Sequence, residues 1–261
     1  MGKKYQQITA TLVMIVLFMG VFSFQVHASN EKASITENTG YTVNRNDLCK
    51  IMSKKLGTPY SQMDCSAYAA WVLQNMGTKV AKEGAIKDIK VVAGRSSFDW
   101  EKKGALKISY KSAVYNKQKN KWVWSKTKKT VVNQSITTWK SLTQTKYKKV
   151  AGKLKVGDAL IYNDHIALYF GEFDSASKVA AYLKEQCGMK GLKKSTTSAG
   201  NTCYQYKGKT VLVEYAECGS QWRIHATTSN GLIIDNDLTF HNGQYGGKWR
   251  ANVRFVETTI E

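Results

Sequence analysis

The chain has 261 residues, 43% of them hydrophobic and 11% aromatic, which is ordinary for a globular protein with its own core. Its charge is not ordinary: 39 basic against 19 acidic side chains give a formal net charge of +20, and a surface of that sign either favours polyanionic partners or simply solubilises the chain. None of the five cysteines, at 49, 65, 187, 203 and 218, is spaced as C-x2-4-C, which argues against a structural zinc site.

Residues 1–28 open on MGKK, continue through the apolar run ITATLVMIVLFMGVFSF, and end at Val26-His27-Ala28. A basic start, an apolar middle and a small-residue exit read as a secretory signal peptide, with a retained single-span anchor as the alternative. No later stretch is long and apolar enough to span a membrane. The leader holds two of the cations, Lys3 and Lys4, and no acid, so the exported domain, 29–261, carries +18 over 233 residues. Export turns the expectation from nucleic acid to anionic wall polymers or lipid headgroups. Five cysteines allow two disulfides and leave one thiol over; Cys187 and Cys203, which bracket a lysine- and glycine-rich loop, are the first candidates for a bridge.

Residues 44–56 (NRNDLCKIMSKKL) predict a helix with an Asn cap, apolar Leu48, Ile51, Met52 and Leu56, and Gly57 as a stop. A turn, GTPYSQMD, leads into a second amphipathic helix that starts at Cys65 and is expected to stop at Gly77. A thiol there sits at the positive end of a helix dipole, which favours thiolate. From about Ala105 the texture is strand-like, through LKISYKSAVYN, KWVWSKT, TVVNQSITTW, GDALIY, HIALYFG, TVLVEYAE, QWRIHA, GLIIDN and NVRFVE. Only residues 175–187 (SASKVAAYLKEQC) interrupt with a helical pattern. Helices first and strands after predict an α+β domain, helices on one face of an antiparallel sheet. Beyond the leader there are three histidines, His165, His225 and His241, and His165 opens the strand HIALYFG.

Two stretches then belong together. GTPYSQMDCSAYAAWVL resembles the G-x-P-Y…D-C-S-G motif of the NlpC family of papain-like cell-wall cysteine peptidases, and LKVGDALIYNDHIALYFG resembles that family's L-x-x-G-D-L…H-V-G-I-Y-x-G segment. The resemblance covers about half of the exported domain. It implies a papain-like fold with two insertions, about 78–152 and 173–209, with Cys65 as nucleophile and His165 as general base, forming a thiolate–imidazolium pair. The family's third polar residue, more often His or Asn, lies on the next strand. Taken as TVLVEYAECG, that strand places Glu214 in the role, with Glu217 or a backbone carbonyl as alternatives. Asp64 and Ser66 would receive the free amine of a stem peptide, with Tyr60 walling the pocket; Asp64 and Ser66 also read as plain helix caps. Ala67 replaces the family's glycine after D-C-S.

The resemblance therefore implies a secreted, wall-associated cysteine hydrolase that cuts peptidoglycan stem peptides at a D-isoglutamyl bond. It would need no metal or other cofactor and would bind no nucleic acid. An N-acetylmuramoyl-L-alanine amidase, another Cys/His acyl transferase and a non-catalytic basic wall binder are the alternatives.

Overall fold

The computed structural model describes residues 35–36, 40–82, 86–92, 100, 107–127, 129–132, 135–138, 153–162, 164–238, 249–253 and 256–259. The leader of residues 1–28 and His241 lie outside them.

Helix α1 (Arg45–Ser53) begins at Asn44, whose Oδ1 accepts hydrogen bonds from the backbone N–H groups of Asn46 at 2.8 Å and Asp47 at 3.3 Å. The expected apolar stripe is inside: Leu48, Ile51 and Met52 are buried. The chain leaves through Gly57 at φ +78°, a left-handed conformation that favours glycine. Helix α2 (Cys65–Lys82) starts at the expected residue but runs through Gly77 rather than stopping there. A mid-helix glycine costs only about 1 kcal/mol, and Tyr68, Val72, Leu73 and Met76 are already anchored in the core. Tyr68 Oη donates to Met52 O at 2.9 Å and so ties α2 to α1. Helix α3 (Ala176–Glu185) is capped by Ser175, whose side chain accepts from Lys178 N–H.

Three groups of strands follow. β1 (Ile35–Thr36) and β2 (Gly40–Asn44) join β16 (Val256–Thr259) in one sheet, with β2 and β16 parallel. The segment after α2 folds into β3 (Ile86–Val92), β4 (Lys107–Asn116), β5 (Lys121–Trp124) and β6 (Lys129–Val132), all antiparallel around β4.

The central sheet contains β7 (Ser135–Thr138), β8 (Ala159–Tyr162), β9 (His165–Glu172), β10 (Lys193–Thr196), β11 (Thr202–Tyr206), β12 (Lys209–Glu214), β13 (Gln221–Thr227), β14 (Gly231–Asp235) and β15 (Trp249–Val253). Its spatial order is β10-β11-β12-β14-β13-β9-β8-β15-β7. The α+β expectation holds, but the sheet is mixed: β12 and β14 run parallel, Leu212 opposite Ile234. The segment between β9 and β12 supplies α3 and the β10–β11 edge.

Strand register divides the centre of this sheet into two unlike faces. Ile161, Ile166, Leu168, Trp222, Ile224 and Ile234 pack in one apolar cluster with Leu48 and Met52 of α1, Tyr68 and Val72 of α2, and Val179 and Leu183 of α3. Each such side chain contributes about 1.5–3 kcal/mol when fully buried. The pairings Tyr162↔His165, Ala167↔His225 and Arg223↔Asp235 set Tyr162, His165, Arg223, His225 and Asp235 together on the opposite face. That face is buried too, with His165 0%, His225 1%, Arg223 1% and Asp235 2% exposed.

Candidate active site

Asp64 is the residue that starts α2. Its Oδ1 accepts from Ala67 N–H at 2.8 Å and Ser66 Oγ at 2.9 Å, an N-cap that satisfies an otherwise orphaned helix donor. The cap fixes Cys65 as the first helical residue. Backbone N–H groups of Ile166, Ser66 and Cys65 itself act on the sulfur. The Ile166 contact places the thiol beside the start of β9, one residue from His165. The surroundings of the sulfur act against the dipole that favours thiolate. Burial, with the thiol residue only 6% exposed, pushes the Cys65 thiol up; Ile166 N–H opposes this and the Asp64 carboxylate adds to it.

His165 is sealed inside the sheet. Its Nε2 shares a 2.8 Å hydrogen bond with His225 Nδ1, and His225 Nε2 meets Asp235 Oδ2 at 2.7 Å. Asp235 Oδ1 accepts from Arg223 Nε at 2.7 Å and from Asp237 N–H at 3.2 Å, and Arg223 Nη2 donates to Oδ2 at 3.4 Å. The Arg223 guanidinium also lies 5.6 Å from the Tyr162 ring centre. Burial pushes the Asp235 carboxyl up, but Arg223 and His225 outweigh it and hold it well below the usual carboxylate range. His165 is lowered by burial first, then by His225 and Arg223; His225 is lowered by burial and Arg223, with Asp235 opposing. At neutral pH this line is therefore an anionic carboxylate followed by two uncharged imidazoles.

Glu214 does not join it. Its Oε2 accepts from Ala176 N–H at 3.1 Å, serving the start of α3, and its strand β12 is separated from β9 by β14 and β13. Glu217 is exposed in the turn after β12. The strand beside β9 is β13, and its histidine, His225, is the side chain that meets His165. The expectation failed because the next strand in sequence was taken as the next strand in space. Arg223 and His225 at i and i+2 in QWRIHA, with Asp235 at the end of GLIID, were the available signals: three polar groups on one face of otherwise apolar strands.

The Asp64 Oδ2 oxygen makes no hydrogen bond to the described residues, so the carboxylate can cap α2 and still accept from a ligand. Tyr60 is half-buried and lines a cleft of about 620 Å³ with Pro59, Ser61, Lys209, Ser229 and Asn230. Neither Cys65 nor His165 lines that cleft. Trp100 and Tyr110 are buried in the apolar cluster that contains Cys65.

All five thiols are unbridged, so the expected Cys187–Cys203 disulfide is not formed. Cys187 interacts instead with Ser53 of α1. Among the described residues no group of three or more His, Cys, Asp or Glu side chains is placed to hold a metal ion. Nor is any helix among them long and apolar enough to cross a membrane. The chain matches no protein-family model, no curated protein and no solved structure in the comparisons made with each.

Proposed function

We propose that this protein is a cysteine hydrolase of the NlpC type, in which Cys65 attacks an amide carbonyl and His165 takes the thiol proton. What supports the reading is a thiol on the first residue of a helix, touched by Ile166 N–H, and the imidazole of His165, the residue before Ile166 in the chain, tied through Nε2 to His225. Because Nε2 is engaged, proton exchange with sulfur falls to Nδ1. A raised thiol and a lowered imidazole make the resting pair neutral. The proton therefore moves as the carbon–sulfur bond forms, giving a tetrahedral oxyanion and an imidazolium. The imidazolium then protonates the leaving amine, a thioester forms, and water activated by the same Nδ1 releases the acid. The N–H groups of the α2 N-terminus are the donors nearest the developing oxyanion.

The substrate class rests on the resemblance in sequence: a peptidoglycan stem peptide whose free amine meets the second oxygen of Asp64, beside Ser66 and Tyr60, cut at a D-isoglutamyl bond. Export and binding of anionic wall polymers through the lysine-rich surface complete the reading. The test is mass spectrometry of muropeptides after digestion by wild-type, Cys65→Ala and His165→Ala proteins. Wild type is expected to release cleaved stem peptides and each folded variant none. Products retaining the intact peptide but lacking its sugar would reassign the enzyme as an amidase. Full activity in either variant would sink the mechanism.

A further inference from the structure

Resting on that reading, we propose that Asp235 is a positioning residue that selects the reactive tautomer of His165 through His225, two imidazoles away from its own carboxylate. The inference follows from counting protons along two short hydrogen bonds. An ionised carboxylate only accepts, so the 2.7 Å contact to Asp235 Oδ2 requires a proton on His225 Nε2. A neutral imidazole carries one N–H, so His225 Nδ1 is bare and accepts. The 2.8 Å contact to it then requires the His165 proton on Nε2. His165 Nδ1 is left with its lone pair, the state a general base needs.

Arg223 makes this selection directional. Its Nε–H and the backbone N–H of Asp237 both donate to Asp235 Oδ1, at 2.7 and 3.2 Å. In Asp235→Asn the one remaining oxygen is claimed by those donors, and the amide NH2 group turns toward His225 Nε2. His225 must then accept at Nε2 and carry its proton on Nδ1. It donates to His165 Nε2, and His165 is forced to hold its proton on Nδ1, where it can take none from sulfur. One atom exchanged in a side chain that touches neither Cys65 nor His165 reverses both rings. The other groups facing the line are Tyr162 on β8, whose ring lies 6.2 Å from that of His165, and Asp237 just after β14. Tyr162 Oη donates to Leu238 O at 2.6 Å, and Asp237 N–H donates to Asp235 Oδ1.

The experiment has one arm without activity and one with it. The full chain is labelled with 15N-histidine, its four histidines being assigned with His165→Gln and His225→Gln. The wild-type protein at pH 7.5 is expected to show Nε2–H, Nδ1-bare shifts for both rings and a nitrogen–nitrogen coupling between them. Asp235→Asn is expected to show the reverse pair. A wild-type His225 protonated on Nδ1 overturns the proposal, whether or not the variant folds. In the activity arm, kcat of folded Asp235→Asn is expected to fall by about 10⁴-fold with KM little changed, the size seen when an orienting carboxylate becomes an amide. Adding Arg223→Met removes the donor that holds the amide in the wrong sense, and at least tenfold of the loss is expected to return. A variant with reversed rings and wild-type kcat overturns the positioning role. If the tautomers behave as described while Cys65→Ala keeps full activity, the enzymatic reading fails instead.

Discussion

Acidification tests the buried histidine pair through stability alone. His165 and His225 are 0% and 1% exposed, and both are held below the ordinary imidazole value, by burial first and then by neighbouring positive charge. In the unfolded chain each takes up a proton near pH 6.5. In the folded protein it does so only at lower pH, so the unfolded state binds more protons and stability falls as pH drops through 6.5. Each imidazole that stays neutral costs about 1.4 kcal/mol per pH unit in that window. For both, the slope steepens below pH 6.5 toward a limit of about 2.7 kcal/mol per unit, a large part of a typical domain stability of about 5–15 kcal/mol. Asp235 does not offset this. Its carboxyl is held low, so the stability it supplies is intact above the unfolded carboxylate value and is lost only at more acid pH. Urea unfolding followed by tryptophan fluorescence from pH 7.5 to 5.0 measures the slope, and His225→Gln is expected to halve it. Identical unfolding midpoints at pH 7.5 and 5.0 in the wild type would refute the buried neutral pair.

Glu214→Ala is expected to leave kcat unchanged and to cost about 0.3–1 kcal/mol of stability, since it loses an acceptor at the α3 N-terminus and nothing at His165; a large fall in kcat at unchanged stability would return Glu214 to the site. Gly231→Ala is expected to destabilise by at least about 2 kcal/mol in chemical denaturation. Gly231 sits at φ +70° and a Cβ there would stand 2.1 Å from Thr58 O; an unchanged unfolding midpoint would contradict that approach. Alkylation of Cys65 by iodoacetamide is expected to be slow at pH 7 and to rise as pH approaches the raised thiol value, because the sulfur is neutral and 6% exposed. Fast labelling at pH 6 would mean a preformed thiolate.

The helices were legible because capping and apolar spacing are local. Asn44, Asp64 and Ser175 each stand where an N-cap is needed, and Leu48, Ile51 and Met52 repeat at helical spacing. Gly77 misled because its cost is smaller than the core contacts that carry α2 past it. Cys65 and His165 were singled out from motifs, each a few residues long. Their partners were not, since a mixed sheet pairs strands far apart in sequence. His225 reaches His165 only because β13 and not β12 lies beside β9, and no local pattern reports that order. The state of the thiol was also hidden: the dipole and capping amides can be read from residues 64–66, whereas the burial that outweighs them comes from the whole core.

The groups at the site come from residues 65, 165, 225 and 235, in that order along the chain. A ribosome therefore delivers the nucleophile early and the carboxylate that orders the histidines late. On the proposed reading, Cys65 is an ordinary thiol without an oriented base until β13 and β14 have been made and docked, and a growing chain holds no working hydrolase. On that reading, the order of synthesis gives the protein a built-in delay. A fragment ending at residue 220 is expected to cleave nothing, and turnover by such a fragment would show that the delay does not exist.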